Sequence, residues 1–531
     1  MTEKISVPSA FLEQWNLRKP SVSGPNGVVA TQHYVASEVG ANILRRGGNA
    51  IDASVASGLT LGVVEPWMSG VGGGGFMTIY LADQDKVSVV EFGMKAPLDS
   101  ASGDYPLTGR ATGASSFNWP EVEGNVNVHG PLSIAVPGHI KGMALALERF
   151  GTWDWKDVIE PACRIAEVGL PMNWYATQMI TNNARLMRNY RQISKTFLPD
   201  GLPLPALNAQ GETLRVPLGN LSSTYRTLQR EGPESYYSGS VAELIASDLE
   251  NAGSKIRERD LVEYEAFVDE PLVTNYRSNT LSAPRRRSAG PTLKRTLNEL
   301  ESKMSPTGRG TPHAGDYQTY VQTLLDAYAY RLENLGDGEQ RKVSGATSHL
   351  CTADSHGNLV SHTQTIMSTF GSQIMLPQTG IVMNNGMMWF DPVPDRPNSV
   401  AGGRRPLSNM CPVIGELANG SRFAIGACGG RTIFPAVYQL VSFLCDFDMS
   451  VEEAIHQPRV DVSGTEMVTI METMDENAIQ ALRSQFPQTR VRSYGVSPVL
   501  FGVPQLVVQD KNGTASGGCF VPSPTAAVVA V

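Results

Sequence analysis

Apolar residues recur at helical spacing from residue 35 to 64, broken only by Arg45-Arg46-Gly47-Gly48. That pattern predicts two packed helices joined at a glycine stop. Gly72 to Gly75, followed by Phe76-Met77-Thr78-Ile79-Tyr80, predicts a glycine-rich turn into a strand. Residues 133 to 170 and 241 to 268 read as helical, and Tyr317 to Leu335 reads as another helix. Residues 284 to 316 are rich in Pro, Gly, Arg and Ser and predict a mobile loop. Gly336 to Ala346 is polar and predicts a flexible, accessible backbone. After Ser348 the period shortens. Leu350 to Ala353, Leu359 to Thr363, Ile381 to Met383 and Arg422 to Gly426 read as short strands between Asn, Asp and Gly turns. Residues 433 to 446 and 475 to 486 return to helical spacing. Strands in one layer with helices outside them predict a layered α/β sandwich.

Composition narrows the function. The chain has 531 residues and a formal net charge of −8 with interspersed signs. The densest basic run, Arg285-Arg286-Arg287, is short and reads as a solvated loop, so a nucleic-acid partner is not expected. The first thirty residues lack an apolar export core, and no run of eighteen apolar residues follows. A cytoplasmic protein with no membrane partner is therefore expected. The six cysteines have no paired spacing and read as reduced thiols. The glycine run lacks the Gly-Lys-Ser/Thr ending of a phosphate loop. No histidine has metal-ligand spacing with cysteine, so neither metal nor cofactor is expected.

The chemistry concentrates at Thr347, in Ser344-Gly345-Ala346-Thr347-Ser348-His349, with Thr365 eighteen positions on. A threonine hydroxyl is a poor nucleophile unless a base lies beside it. A cut between Ala346 and Thr347 would create an α-amine with a pKa of about 7.7–8.0, usable as that base near neutrality. Taken alone, a threonine in a strand is structural. The surrounding motifs change that. Thr347 through Asp354, Gly357-Asn358, Thr363-Gln364-Thr365, Phe370-Gly371, Asn384-Asn385, Arg405-Pro406-Leu407-Ser408 and Gly429-Gly430 resemble the small subunit of the γ-glutamyltransferase family. Gly47-Gly48-Asn49-Ala50-Ile51-Asp52-Ala53, Val63-Val64-Glu65-Pro66, Gly72 to Met77 and Val136-Pro137-Gly138 resemble its opening blocks.

The resemblance implies a self-processing N-terminal-nucleophile hydrolase with a four-layer αββα fold. It implies a large piece, 1–346, and a small piece, 347–531, folded as one unit. Thr347 would be the nucleophile, Thr365 would hold its hydroxyl, and the Gly429 and Gly430 amides would form the oxyanion hole. His349 reads as a core group, and Cys428 stands where the family has proline.

Departures from the family bear on substrate. Aligned through Lys95-Ala96-Pro97, the arginine that clamps the glutamyl carboxylate falls at Ser102. The acid that holds the glutamyl amine falls at Trp389, and an asparagine falls at Met367. Of two serines, Ser408 is kept and the second is Asn409. Asn385, Trp389, Ser408 and Asn409 remain candidates for the pocket. Arg404, Arg405 and Arg431 are candidates to meet a carboxylate, since the guanidinium fork donates two parallel bonds. The expected activity is hydrolysis of a small acidic amide through an acyl-Thr347 ester, with oxamate to oxalate and ammonia, a step of purine breakdown, as the leading expectation. The alternatives are a glutaryl or cephalosporin acylase, a γ-glutamyl hydrolase or transferase, and an unprocessed binding protein. The expected partners are the amide and the chain's own two fragments as a heterodimer, with further dimerisation open.

Overall fold

The computed structural model describes residues 18–111, 119–305, 308, 310–335, 345–463, 467–492 and 501–531. Two seven-stranded antiparallel sheets stack face to face. The first runs, edge to edge, Ala527–Ala530, Gly27–Thr31, Gly345–Asp354, Leu359–Ser368, Gly74–Leu81, Lys86–Phe92 and Phe267–Asp269. The second runs Val22–Gly24, Ala515–Cys519, Val503–Gln509, Arg422–Cys428, Val413–Glu416, Asn279–Ala283 and Leu272–Tyr276. Apolar residues from both, including Val28, Cys351, Leu359, Ile414, Ala424 and Val507, fill the space between them. Helices cover each outer face, which gives the four-layer αββα sandwich.

The helices form where capping and packing agree. Ala50–Val64 is buried along its whole length. Its start is set by Asn49, whose side chain accepts from the Ile51 and Asp52 amides while Asp52 caps back. That helix and Tyr34–Arg45 are the predicted pair, with Gly47 at φ 88° between them. The Gly72–Gly75 run behaves as its composition predicts. A Cβ on Gly73 would lie 2.1 Å from the Thr365 carbonyl oxygen, and one on Gly75 would lie 2.2 Å from that of Thr363. Only glycine lets this backbone lie so close to the strand that carries Thr365. Gly73 also accepts from the Gly138 and His139 amides, which places the Val136-Pro137-Gly138 block against it.

Several expectations change. The loop expected over 284 to 316 contains a helix, Gly290–Lys303. Leu293, Leu297 and Leu300 line its buried stripe, a period masked by the flanking Arg, Ser and Pro residues. The helical reading of 241 to 268 breaks at Gly253 in a left-handed turn and ends in the strand Phe267–Asp269. Helix begins at His139 rather than residue 133. Ile381 to Met383 joins no ladder, only an isolated bridge from Val382 to Met375. The polar stretch before the nucleophile lies outside the described residues, save Gly345 and Ala346. These two are buried in the strand, so the expected accessible cleavage site is instead enclosed. No helix among the described residues is long and apolar enough to cross a membrane.

Candidate active site

Thr347 and Thr365 lie on neighbouring central strands. Ala346 pairs with Met367 and Ser348 with Gln364, so Thr365 and Ile366 together oppose Thr347. This bulge turns the two hydroxyls toward each other, as bulges beside active sites commonly re-aim a side chain. The Thr347 hydroxyl donates to Thr365 Oγ1 at 3.2 Å. Thr365 donates its own proton to the Ala346 carbonyl oxygen and accepts from the Met367 amide at 2.8 Å. One hydroxyl has one proton and two lone pairs, so Thr365 is fully used. Its proton sits on the carbonyl next to the nucleophile, and the nucleophile's proton points back at it. Both threonines are nearly closed to solvent. Met367 holds a left-handed φ of 83°. Such strain costs about 1–2 kcal/mol and persists where the surroundings impose it.

The glycine pair borders the same peptide. Gly429 and Gly430 have φ of 125° and 61° and lead through a short turn into the helix Ile433–Phe447. A Cβ on Gly345 would fall 2.6 Å from Gly430 Cα and 2.9 Å from its nitrogen. The Gly430 backbone therefore packs against Gly345, one residue before the Ala346 carbonyl. On the opposite face, Ser69 donates to Ser348 at 2.8 Å, Gln364 donates to Ser69 at 2.9 Å, and His139 meets Gln364 at 2.8 Å. His349 is a satisfied core group, between Thr363 Oγ1 at 2.9 Å and Cys351 Sγ at 3.2 Å. Burial holds its pKa down to about 3.

Glu65, in the loop that contacts this region, is fully buried. Thr525 donates to its Oε1 at 3.2 Å. Burial pushes its pKa up to about 8, while the Thr525 and Ser348 hydroxyls pull the other way. The folded value lies above the unfolded one, so its contribution to stability is full below about pH 4.5 and is lost as pH rises toward 8. Glu65→Gln should therefore gain on the wild type as pH rises from 5 to 9, by on the order of a few kcal/mol. Parallel melting curves for the two proteins across that range would remove Glu65 as the source.

The remaining site residues divide. Trp389 is buried in an apolar cluster with Phe76, Met94, Trp119, Met367, Met388 and Met410. Trp119 donates to the Met388 carbonyl at 3.1 Å and is a member of this cluster that sequence reading missed. Ser102 donates to the carbonyl of Val400, another member of that cluster, at 3.4 Å. Asn385 is spent on Ser368 and the Val128 carbonyl. Ser408 and Asn409 are buried just before Met410 of that cluster, and Arg331 donates to Asn409 Oδ1 at 3.0 Å. Arg331 is buried at the end of the helix preceding the nucleophile strand and also escaped sequence reading. Arg405 is committed to the Gly93 and Glu265 carbonyls and to Glu91 at 3.6 Å. Burial still pushes Glu91 up to about 7, against the pull of Arg405. Arg431 donates to the Ser463 carbonyl at 3.3 Å and lies over the Tyr328 ring. Arg404 reaches the Pro397 carbonyl at 3.1 Å from a partly exposed position.

The sequence profile described as Gamma-glutamyltranspeptidase matches residues 36–345 and 338–519. The chain belongs to the γ-glutamyltranspeptidase family. Its members include an Acylase ACY 1 proenzyme from a Pseudomonas strain, 32% identical over 96% of this chain and 95% of the relative. A Glutathione hydrolase proenzyme from Bacillus subtilis is 28% identical over 93% and 90%. Among solved structures, a cephalosporin acylase from Bacillus halodurans superposes with a TM-score of 0.84 at 23% identity, covering 100% of this chain and 99% of the other. Family membership makes this chain an N-terminal-nucleophile hydrolase of amide bonds.

Proposed function

We propose that the chain cuts itself between Ala346 and Thr347 and then hydrolyses the amide of a short dicarboxylic acid through an acyl-Thr347 ester. The observation that carries this is the hydroxyl relay from Thr347 through Thr365 to the Ala346 carbonyl. In maturation, Thr347 Oγ1 bonds to the Ala346 carbonyl carbon. Its proton passes to Thr365, which gives its own to the carbonyl oxygen. On collapse the hydroxyl proton moves to the nitrogen, the carbonyl re-forms, the C–N bond breaks and the nitrogen leaves as an amine; water then hydrolyses the ester to free the Ala346 carboxylate. In turnover the new amine takes the Thr347 proton and passes it to the leaving amine. The Gly429 and Gly430 amides hold the oxyanion.

The acyl group follows from the side chains of the apolar cluster around Trp389. Trp389 and Met367 offer an indole and a thioether where a glutamyl amine would need an acid. In a five-carbon diacid bonded to Thr347, the free carboxylate carbon lies roughly 5 Å from the ester carbon. Oxamate is the short limit of the same series. The acylase and hydrolase names of the relatives support amide hydrolysis, and the unbranched methionines of the cluster adapt to different chain lengths. Cytoplasmic action belongs to the same reading. It is supported by the six unpaired cysteines, five of them buried.

Ammonia release from oxamate, succinamate and glutaramate, measured beside a γ-glutamyl anilide, tests the substrate. We expect kcat/KM to rise with acyl length toward glutaramate and the anilide to be poor. A maximum at oxamate would restore the small-acid reading, and rapid anilide turnover would restore a glutamyl one.

A further inference from the structure

The strand of the nucleophile is held unevenly at its start. On one flank it pairs with Leu359–Ser368 from Gly345 onward. On the other flank its ladder with Gly27–Thr31 begins only at Leu350. At Thr347, Ser348 and His349 the strand therefore has one ladder neighbour instead of two among the described residues. In the intact chain Gly345 and Ala346 extend the pairing past Thr347, to Ser368 and Met367. A cut after Ala346 takes that support away from Thr347. The new terminus then lies opposite the bulge, and its first regular pair is Ser348 against Gln364. Strand ends of this kind fray, because they open without unfolding anything else.

The loop from Trp67 to Ser69 is fixed against the neighbouring strand and the turn that follows it. The Ile366 amide donates to the Met68 carbonyl at 3.2 Å, and the Phe370 amide donates to that of Trp67 at 3.1 Å. The Ser69 hydroxyl then bridges Ser348 and Gln364, at 2.8 and 2.9 Å. The direction of each bond is forced. The Gly58 carbonyl can only accept, so it is Gln364 Nε2 that faces it, at 2.9 Å. That nitrogen can only donate, so Ser69 accepts from it and spends its own proton on Ser348. His139, 2.8 Å from Gln364 Oε1, fixes the other end of the amide. Ser69, Ser348 and Gln364 are all buried, so bulk water does not compete for these bonds. One hydroxyl thus fastens the residue after Thr347 to the residue before Thr365.

We propose that Ser69 is a positioning residue for turnover: after the cut, its hydroxyl clasps Ser348 to Gln364 and so holds the Thr347 terminus beside Thr365. This rests on the self-cut proposed above. In the uncut chain the backbone on both sides of Thr347 holds it in place, so the clasp matters little there. A catalytic group displaced by about 1 Å loses on the order of 10²-fold in rate, so even modest fraying counts.

Amide hydrogen exchange over residues 348–354 tests this, with turnover measured beside it. Ser69→Ala is made in two backgrounds, the self-cut wild type and the uncut Thr347→Ala chain. In the cut protein the start of this strand should exchange roughly tenfold faster, the shift that one net hydrogen bond supplies. In the uncut background the change should stay under about threefold. Ser348→Ala, which removes the clasp from its other end, should repeat the pattern. On the half-amide that the wild type hydrolyses fastest, Ser69→Ala should lose at least about tenfold in kcat with KM little changed. Its rate of processing should stay within about threefold of the wild type. Equal acceleration of exchange in both backgrounds would make the bond an ordinary structural one and overturn the proposal. Unchanged exchange in the cut protein, or processing and turnover slowed alike, would overturn it too. A wild type that stays as one full-length band would overturn the self-cut and this inference together, whereas a cut wild type with an indifferent Ser69→Ala would overturn this inference alone.

Discussion

Thr347→Ala protein should run as one full-length band on a denaturing gel and release no ammonia from any half-amide. The variant removes the hydroxyl that opens the Ala346 peptide, and with it the α-amine that the cut would create. Both activating devices disappear together, so turnover should fall at least about 10⁴-fold. The side chain is small and buried, and its one donated bond goes to Thr365, so the fold should persist with a loss on the order of 1 kcal/mol. A cooperative melt close to that of the wild type checks this. Thr347→Ser keeps the hydroxyl and should process, more slowly. In the wild type, mass analysis of the smaller fragment should read Thr-Ser-His-Leu from its N-terminus. A different N-terminus, or a processed and active Thr347→Ala protein, would end the proposed mechanism.

Gly429→Ala should lower turnover by roughly 10²- to 10³-fold, the usual cost of losing one oxyanion donor. The backbone at φ 125° is hostile to a side chain, and the added Cβ would lie 2.4 Å from Thr432 Oγ1. Thr432 in turn bonds the Gly429 carbonyl at 2.9 Å, so the loop cannot shift without moving the start of the following helix. Adding Thr432→Ala relieves the clash but leaves the forbidden φ. If the double variant regains wild-type kcat, crowding explains the defect. If it stays slow, the amide direction matters. An undiminished Gly429→Ala enzyme would remove this loop from the oxyanion site.

What the sequence made legible was local and repetitive. The glycine run at 72 to 75 announced close packing, and the strand-then-helix rhythm after Thr347 announced the layers. Of the motif residues from Thr347 to Gly430, the fold brings Thr347, Thr365 and Gly430 to the short segment around Ala346. What stayed hidden depends on long-range pairing. The helix Gly290–Lys303 was masked by its polar flanks. Trp119 reaches the Met388 carbonyl across 269 positions, and Arg331 holds Asn409 across 78. Neither sits in a pattern that period or spacing can reveal. Arg405 shows the opposite error. Its type fits a carboxylate clamp, yet the fold commits it to two carbonyls and Glu91. The enclosure of Ala346 was equally invisible, because polarity just upstream of a strand does not report what the strand itself packs against.

The order of strands carries one last consequence. In the first sheet, Gly27–Thr31 lies between Ala527–Ala530 and Gly345–Asp354, and Leu359–Ser368 lies against Gly74–Leu81. In the second, strands from the far end of the chain fill the middle, with Val22–Gly24 at one edge and Asn279–Ala283 and Leu272–Tyr276 at the other. A cut between Ala346 and Thr347, as proposed, would leave two halves interlocked like the fingers of two hands. Separating them would mean tearing ladders in both sheets at once. On that proposal maturation would be a one-way commitment, because neither fragment could part or be exchanged without unfolding the whole.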